Sequence, residues 1–331
     1  MSAVGVEPVP RIIKAQRGRG DRVFLGLTSS SGLVVLVIMG TVGVFLAIQS
    51  AQALRVAGFS FLTTAEWQPD RQHFGIRAIL LGTVLIGFVA VVVAVPVALL
   101  TSLFITQIAP VRLRSTLVAL VDLMAAVPSV VYGLWGLFLL QGQIVGLSRW
   151  LNTWLGWIPI FKVRGAEPDN PLGSMSVFTA SSFIAGLVVA MMVMPIACVV
   201  MREVFSQVPL GEREGAFALG ATRWGMIRVV AVPFARGGII GGTMLGLGRA
   251  LGETIAVLLI ISPRFDVNFH ILEAGSNTVS SHIAVRYNEA SPFELSGLMA
   301  AGLVLFGITL VVNFTASSFV ARSRSGASSE A

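Results

Sequence analysis

Apolar runs of twenty or more residues alternate along the chain with shorter polar stretches, and about 20 residues is what a helix needs to cross a bilayer core. The runs fall near 25–48, 78–105, 115–140, 180–201, 235–262 and 296–320, which predicts an all-α membrane protein with six spans. Ala51-Gln52-Ala53 mimics a signal cleavage site, but the run before it, Leu25 to Ile48, is too long for a signal core. It reads as an uncleaved first helix. The expected organisation is a polar segment over 1–24, a six-span domain over 25–321 with a polar loop at 202–234, and a tail over 322–331.

Six spans place both termini on one side, and basic residues then choose that side. With the amino terminus inside, inner segments hold fourteen Lys and Arg residues, among them Arg11, Lys14 and Arg17, and outer segments hold eight. The bias favours cytoplasmic termini in a plasma membrane and makes the 202–234 loop cytoplasmic. The net charge of +7 is scattered over short loops rather than massed on one face, which argues against nucleic acid. Cys198 is the sole cysteine, so no internal disulfide or thiolate metal cluster forms. Trp150, Trp154 and Trp157, at helical spacing in the outer segment 141–179, predict a helix lying in the headgroup layer. Pro96, Pro128 and Pro195 are expected inside the second, third and fourth spans as kinks or cavity-lining positions.

Polar chemistry inside the apolar runs is where function is sought. Arg249 and Glu253 sit four residues apart near the middle of the fifth run, and Asp122 lies in the third. Guanidinium offers a planar fork suited to oxyanions, and Glu253 is expected to neutralise Arg249 while the path is empty. The rival reading is a purely structural ion pair. The partner of Asp122 is open. Gly238, Gly242 and Gly246, with Gly248 and Gly252, predict close approach of another helix. In the polar loop, Pro209 opens a short helix, Glu212 and Glu214 suit its first turn, and Gly220 ends it. Thr222 caps a second helix that Pro233 is expected to close. Ala216, Phe217, Ala218 and Leu219 form an apolar patch that either docks a partner or packs on its own chain.

Glu214-Gly215-Ala216, then Gly220, then Val230-Ala231-Val232-Pro233 resembles the EAA loop of ABC importer permeases, with Gly215 where alanine is usual. Phe61-Leu62-Thr63, Glu66-Trp67 and Phe74-Gly75 resemble the start of phosphate-specific permeases. Pro128-Ser129-Val130-Val131-Tyr132-Gly133-Leu134-Trp135-Gly136 and Gly248-Arg249-Ala250-Leu251-Gly252-Glu253-Thr254 are similar to the PstC type of that family more than to the PstA type.

The resemblance covers about 60–320 and implies a type I ABC importer permease fold. It further implies phosphate passage by alternating access and a coupling helix around Glu214 to Ala221 docked on a cytosolic ATPase. Implied partners are a PstA-type permease subunit, two ATP-binding subunits and an extracytoplasmic phosphate-binding protein. ATP and Mg would then sit on the ATPase and no cofactor on this chain. Independently, a Walker loop needs Gly-Lys, and neither Lys14 nor Lys162 follows glycine. Readings left open are another oxyanion importer (sulfate or molybdate), an ion-gradient transporter and a membrane sensor. An intramembrane hydrolase fits poorly, since His73, His270 and His282 all fall in expected outer segments.

Overall fold

The fold is taken from a computed structural model, which describes residues 18–166 and 175–324. Arg11, Lys14 and Arg17, residues 167–174 of the outer segment and the tail from 325 lie outside them. The chain divides into two compact units, Met1–Ile48 and Gln49–Ala331. The helices in order are α1 (Arg19–Ala57), α2 (Ser60–Thr63), α3 (Arg77–Leu103), α4 (Val111–Ala126), α5 (Ser129–Trp135), α6 (Gln141–Leu155) and α7 (Ser182–Ser206). They continue as α8 (Leu210–Ala218), α9 (Arg223–Met226), α10 (Val232–Gly252), α11 (Ile255–Ile260), α12 (Val279–Arg286) and α13 (Pro292–Arg324). One small hairpin, β1 (Trp67–Gln68) with β2 (His73–Phe74), pairs antiparallel between α2 and α3.

Six helical runs among the described residues are long and apolar enough to cross a membrane: Gly20–Ala57, Arg77–Ile108, Ser129–Leu155, Ser182–Ser206, Arg223–Gly252 and Pro292–Ser318. Their number agrees with the reading of the sequence, and two of them are placed differently. The third run begins at Ser129 rather than near 115, because Pro128 forces Val127 into extended backbone (φ −67°, ψ 129°) and separates α4 from α5. Pro128 therefore lies between helices, not inside a span. A π turn at Gly136–Leu140 then carries the run into α6. The expected headgroup helix is thus the end of the third run, with Trp150 and Trp154 exposed on α6 and Trp157 beyond it.

The fifth run begins earlier than 235. A π turn at Ile227–Ala231 joins α9 to α10, so Pro233 sits in the first turn of a continuing helix instead of closing one. Proline lacks a donor and crowds the preceding turn, and the wider π turn relieves that crowding. The run also ends early, at Gly252.

Helix α7 is the centre of the second unit. Ser181 caps it, its Oγ accepting from the Ile184 N–H at 3.4 Å, and both of its faces are apolar. Ile184 to Val193 pack with Ile86, Ala90 and Ala94 of α3 and with Ala256, Val257 and Ile260 of α11. Toward the α8 end, Ala197, Met201 and Phe205 pack with Met226, Ile227, Ala231 and Ala235. The glycine face of α10 makes this possible. A Cβ at Gly246 would stand 2.6 Å from Cγ1 of Val193, and one at Gly242 would stand 3.1 Å from the Ala197 carbonyl oxygen. The close neighbour predicted from the glycines is therefore α7 of the same chain. Gly252 has nothing of this chain within 4 Å of such a Cβ.

Candidate functional site

Helix α8 is built by its flanks. Pro209 precedes it, Glu212 stands in its first turn, and Gly220 adopts φ +82°, a conformation that glycine reaches without strain. The Gly220 N–H donates to the Phe217 carbonyl at 2.9 Å and the Ala221 N–H to the Ala216 carbonyl at 3.0 Å. This pair of bonds is a Schellman stop. Thr222 Oγ1 accepts from the Gly225 N–H at 3.1 Å and starts α9 at once.

The helix opens after Pro209, as the sequence predicts, and runs Leu210–Ala218, so the coupling segment implied around Glu214 to Ala221 covers its second half and the stop at Leu219, Gly220 and Ala221. Ala216 packs onto the core, whereas Phe217 is exposed and Leu219 is 92% exposed. Glu212, Gly215, Ala216 and Leu219 share one helical face and line an open recess of about 590 Å³, bordered by Val229, Pro233 and Phe234. An apolar surface with a recess beside it is a shape that accepts a protein partner.

At the other end of α10 the chain breaks. Glu253 is extended (φ −68°, ψ 128°) and α11 starts two residues later. Arg249 and Glu253 are therefore not neighbours on one helix, and no ion pair between them occurs among the described residues. The expected i to i+4 pair is corrected to two charges at the ends of a broken helix. Arg249 stands in the last turn of α10 and is exposed, where the negative end of the helix dipole favours a cation. Glu253 is buried, and its Oε1 accepts from the Ala256 N–H at 3.3 Å, capping α11. Glycine at 252 has low helix propensity, and a break there costs less than elsewhere in the run.

Asp122 lies on α4, ahead of the third run rather than inside it, and meets neither of these residues. Its Oδ1 lies 3.5 Å from Nη2 of Arg202, near the end of α7. Sequence reasoning missed Arg202 as a partner, because a contact eighty residues away leaves no local signal.

A second polar group, also unforeseen, lies near the start of α13. Arg286 donates to Glu294 through Nε at 2.9 Å and Nη2 at 3.1 Å, and Trp67 Nε1 donates to the same carboxylate at 3.0 Å. The hydrogen bond to Glu294 holds the Arg286 guanidinium above its ordinary pKa. The spacing Ser291 to Glu294 was the available signal, since Ser291 Oγ accepts from the Glu294 N–H at 3.2 Å as in a capping box. His282 lies beside this group, its ring edge-on to Trp67 at 4.7 Å and to Phe265 at 5.0 Å. Burial first, then the Arg286 charge, pulls the imidazole down to about 4, so it is neutral near pH 7. Trp67, Asp70, Arg71, His282 and Arg286 line a cavity of about 460 Å³.

Comparison with known proteins agrees with this architecture. The model of the binding-protein-dependent transport system inner membrane component matches residues 94–325. The phosphate transport system permease protein PstC 2 of Mycobacterium tuberculosis is 37% identical over 302 residues, covering 90% of this chain and 91% of that protein. PstC of Mycobacterium leprae is 38% identical over 316 residues, covering 94% and 97%. Among solved structures, a bacterial alginate ABC transporter in complex with its alginate-bound periplasmic protein shares the fold, with TM-score 0.59 and 14% identity over 92% of this chain and 96% of that one.

Proposed function

Because the chain belongs to the family of binding-protein-dependent transport system inner membrane components, we propose that it is the transmembrane permease subunit of an ATP-driven phosphate importer. The observation that carries this reading is the 37–38% identity to phosphate permeases along nearly the full length of both proteins. It is a multi-pass membrane protein. In the proposed arrangement both termini and α8 face the cytoplasm of a bacterial cell.

Each part has a role. Helix α8, with Glu214, Gly215, Ala216, Phe217 and the stop at Leu219, Gly220 and Ala221, is the coupling helix that docks on an ATP-binding subunit. Exposed Phe217 and Leu219 fit such a groove, as large apolar anchors do. The break at Gly252 to Thr254 lies on the path. Unwound backbone is tolerated at membrane depth where it lines a cavity or is buried in protein. Arg249 offers its fork to the phosphate oxygens there, and Glu253 holds the break open by capping α11. Asp122, paired with Arg202, is left without a part on this path.

A PstA-type partner completes the path, two ATP-binding subunits carry ATP and Mg, and an extracytoplasmic binding protein delivers phosphate. Closure of the ATPase pushes α8, and the path alternates between the two sides.

Reconstitution with the ATPase and binding protein tests this reading. Phosphate should stimulate ATP hydrolysis, and sulfate should not compete. Arg249→Gln should lower phosphate uptake at least tenfold in an assembled complex, and Arg249→Lys should also fail, because a fork becomes a point charge. Normal import by Arg249→Gln would sink the assignment of the path. Phe217→Glu should separate the permease from the ATPase; co-purification with intact coupled hydrolysis would reject the role of α8.

A further inference from the structure

Beside α8, which lends it Arg213, lies a second cavity, of about 270 Å³, with Ile105, Val118 and Phe205 as its apolar wall. Gln107, Arg114, Arg202, Glu203 and Arg213 line it. Three of them carry a buried polar atom with no hydrogen-bond partner among the described residues: Oε1 of Gln107, Nη1 of Arg202 and Nε of Arg213. Buried polar groups are nearly always satisfied, so three orphans around one cavity point to an occupant that the chain does not itself supply.

The remaining bonds define what that occupant must offer. Arg202 reaches Asp122 through Nη2 only, Arg114 Nε donates to the Ala109 carbonyl at 3.0 Å, and Gln107 Nε2 donates to the Phe205 carbonyl at 3.4 Å. Glu203 is exposed and accepts from Gln207 Nε2 at 3.2 Å. Three guanidinium groups thus face two carboxylates, Asp122 and Glu203, which leaves positive charge over. The two orphaned arginine nitrogens require acceptors, and the orphaned Gln107 oxygen requires a donor. A fully deprotonated oxyanion such as sulfate meets only the first demand. A phosphate group that keeps one proton meets both, and inorganic phosphate keeps at least one at neutral pH. The volume, several times the ~30 Å³ that a water molecule takes up in the liquid, leaves room for it.

We infer that this cavity is a binding site for a protonated phosphate group on the cytoplasmic side, separate from the path at Arg249. Its occupant would tie α7 through Arg202, the end of the α3 run through Gln107 and the coupling helix through Arg213. Phosphate that accumulates inside the cell would then hold α8 against the bundle and restrain further import. This restraint rests on the transport role proposed above; the site itself does not.

Binding can be measured on the whole complex in lipid nanodiscs, without the extracytoplasmic binding protein and with the nucleotide sites filled by a non-hydrolysable ATP analogue. Radiolabelled inorganic phosphate should bind to wild type, and Arg249→Gln should keep the share of that binding that Arg213→Gln weakens, which separates this site from the transport path. Sulfate should bind at least tenfold more weakly. Arg213→Gln should weaken phosphate about tenfold or more, as loss of a charged hydrogen bond does. Gln107→Met, which keeps the side-chain length, should erase the preference for phosphate over sulfate; it remains the test if Arg213→Gln fails to assemble. Discs containing phosphatidate identify the source of the group: displacement of the label assigns the site to a lipid head group, and retention assigns it to free phosphate. Loss of all binding in Arg249→Gln, equal affinity for sulfate, or indifference to both cavity variants would overturn the inference.

Discussion

Two arginine–carboxylate contacts outside the helix break, Arg286 with Glu294 and Arg202 with Asp122, differ in how complete they are. Arg286 meets Glu294 with both prongs of its fork, and Trp67 fills the remaining demand on a carboxylate that is only 7% exposed. Arg202 reaches Asp122 with one nitrogen at 3.5 Å, and the carboxylate is half exposed. The first contact is closed on itself and fastens α12 to the start of α13. The second leaves donors over and stands beside a cavity. A saturated pair is a fastener, whereas an unsaturated one keeps binding capacity available.

The largest test of that contrast removes the fastener. Glu294→Ala strands both the Trp67 N–H and the Arg286 guanidinium and should cost about 3 kcal/mol, read as a lower thermal unfolding midpoint of the purified complex. A loss below about 1 kcal/mol would mean that water replaces the carboxylate at little cost.

Acid should reach the same region next. His282, faced by Arg286 and Glu294, has its pKa lowered from 6.5 to about 4, so the unfolded chain takes up a proton that the folded one refuses. Its contribution is complete above pH 6.5 and is lost as pH falls toward about 4, roughly 3 kcal/mol in all. The difference between wild type and His282→Gln across that window measures it, and parallel curves would show that the ring is already protonated.

The smallest effect belongs to the open pair. Asp122→Asn should change stability by less than about 1 kcal/mol, as expected for a half-exposed contact, while Glu294→Ala in the same assay does not behave so mildly.

The sequence was most informative where structure is local. Pro209, Gly220 and Thr222 each act within four residues of themselves, so both ends of α8 and the start of α9 were readable, and six apolar runs follow directly from length. Breaks inside apolar runs were harder. Val127-Pro128 and Gly252-Glu253 are flanked by the same kinds of residue that fill the spans, and a proline kink and a proline stop share one spelling. Pro233 shows the converse, a stop signal overridden by a π turn. For Arg249, residue type marked the position, but its pairing depended on a helix continuing that in fact ends. Contacts between distant segments, Asp122 with Arg202 and Glu294 with Trp67, had no signature at all.

The π turn at Ile227–Ala231 matters for more than the route of the chain. It makes Arg223–Gly252 a single rod of 30 residues, at about 1.5 Å each roughly 45 Å long, with the α8 stop at one tip and Arg249 near the other. A rod of that length acts as a lever: one degree of tilt at the α8 tip swings Arg249 by about 0.7 Å. In the role proposed for Arg249, a guanidinium fork loses its grip over about that distance, so a few degrees imposed from the α8 tip would change what it can hold.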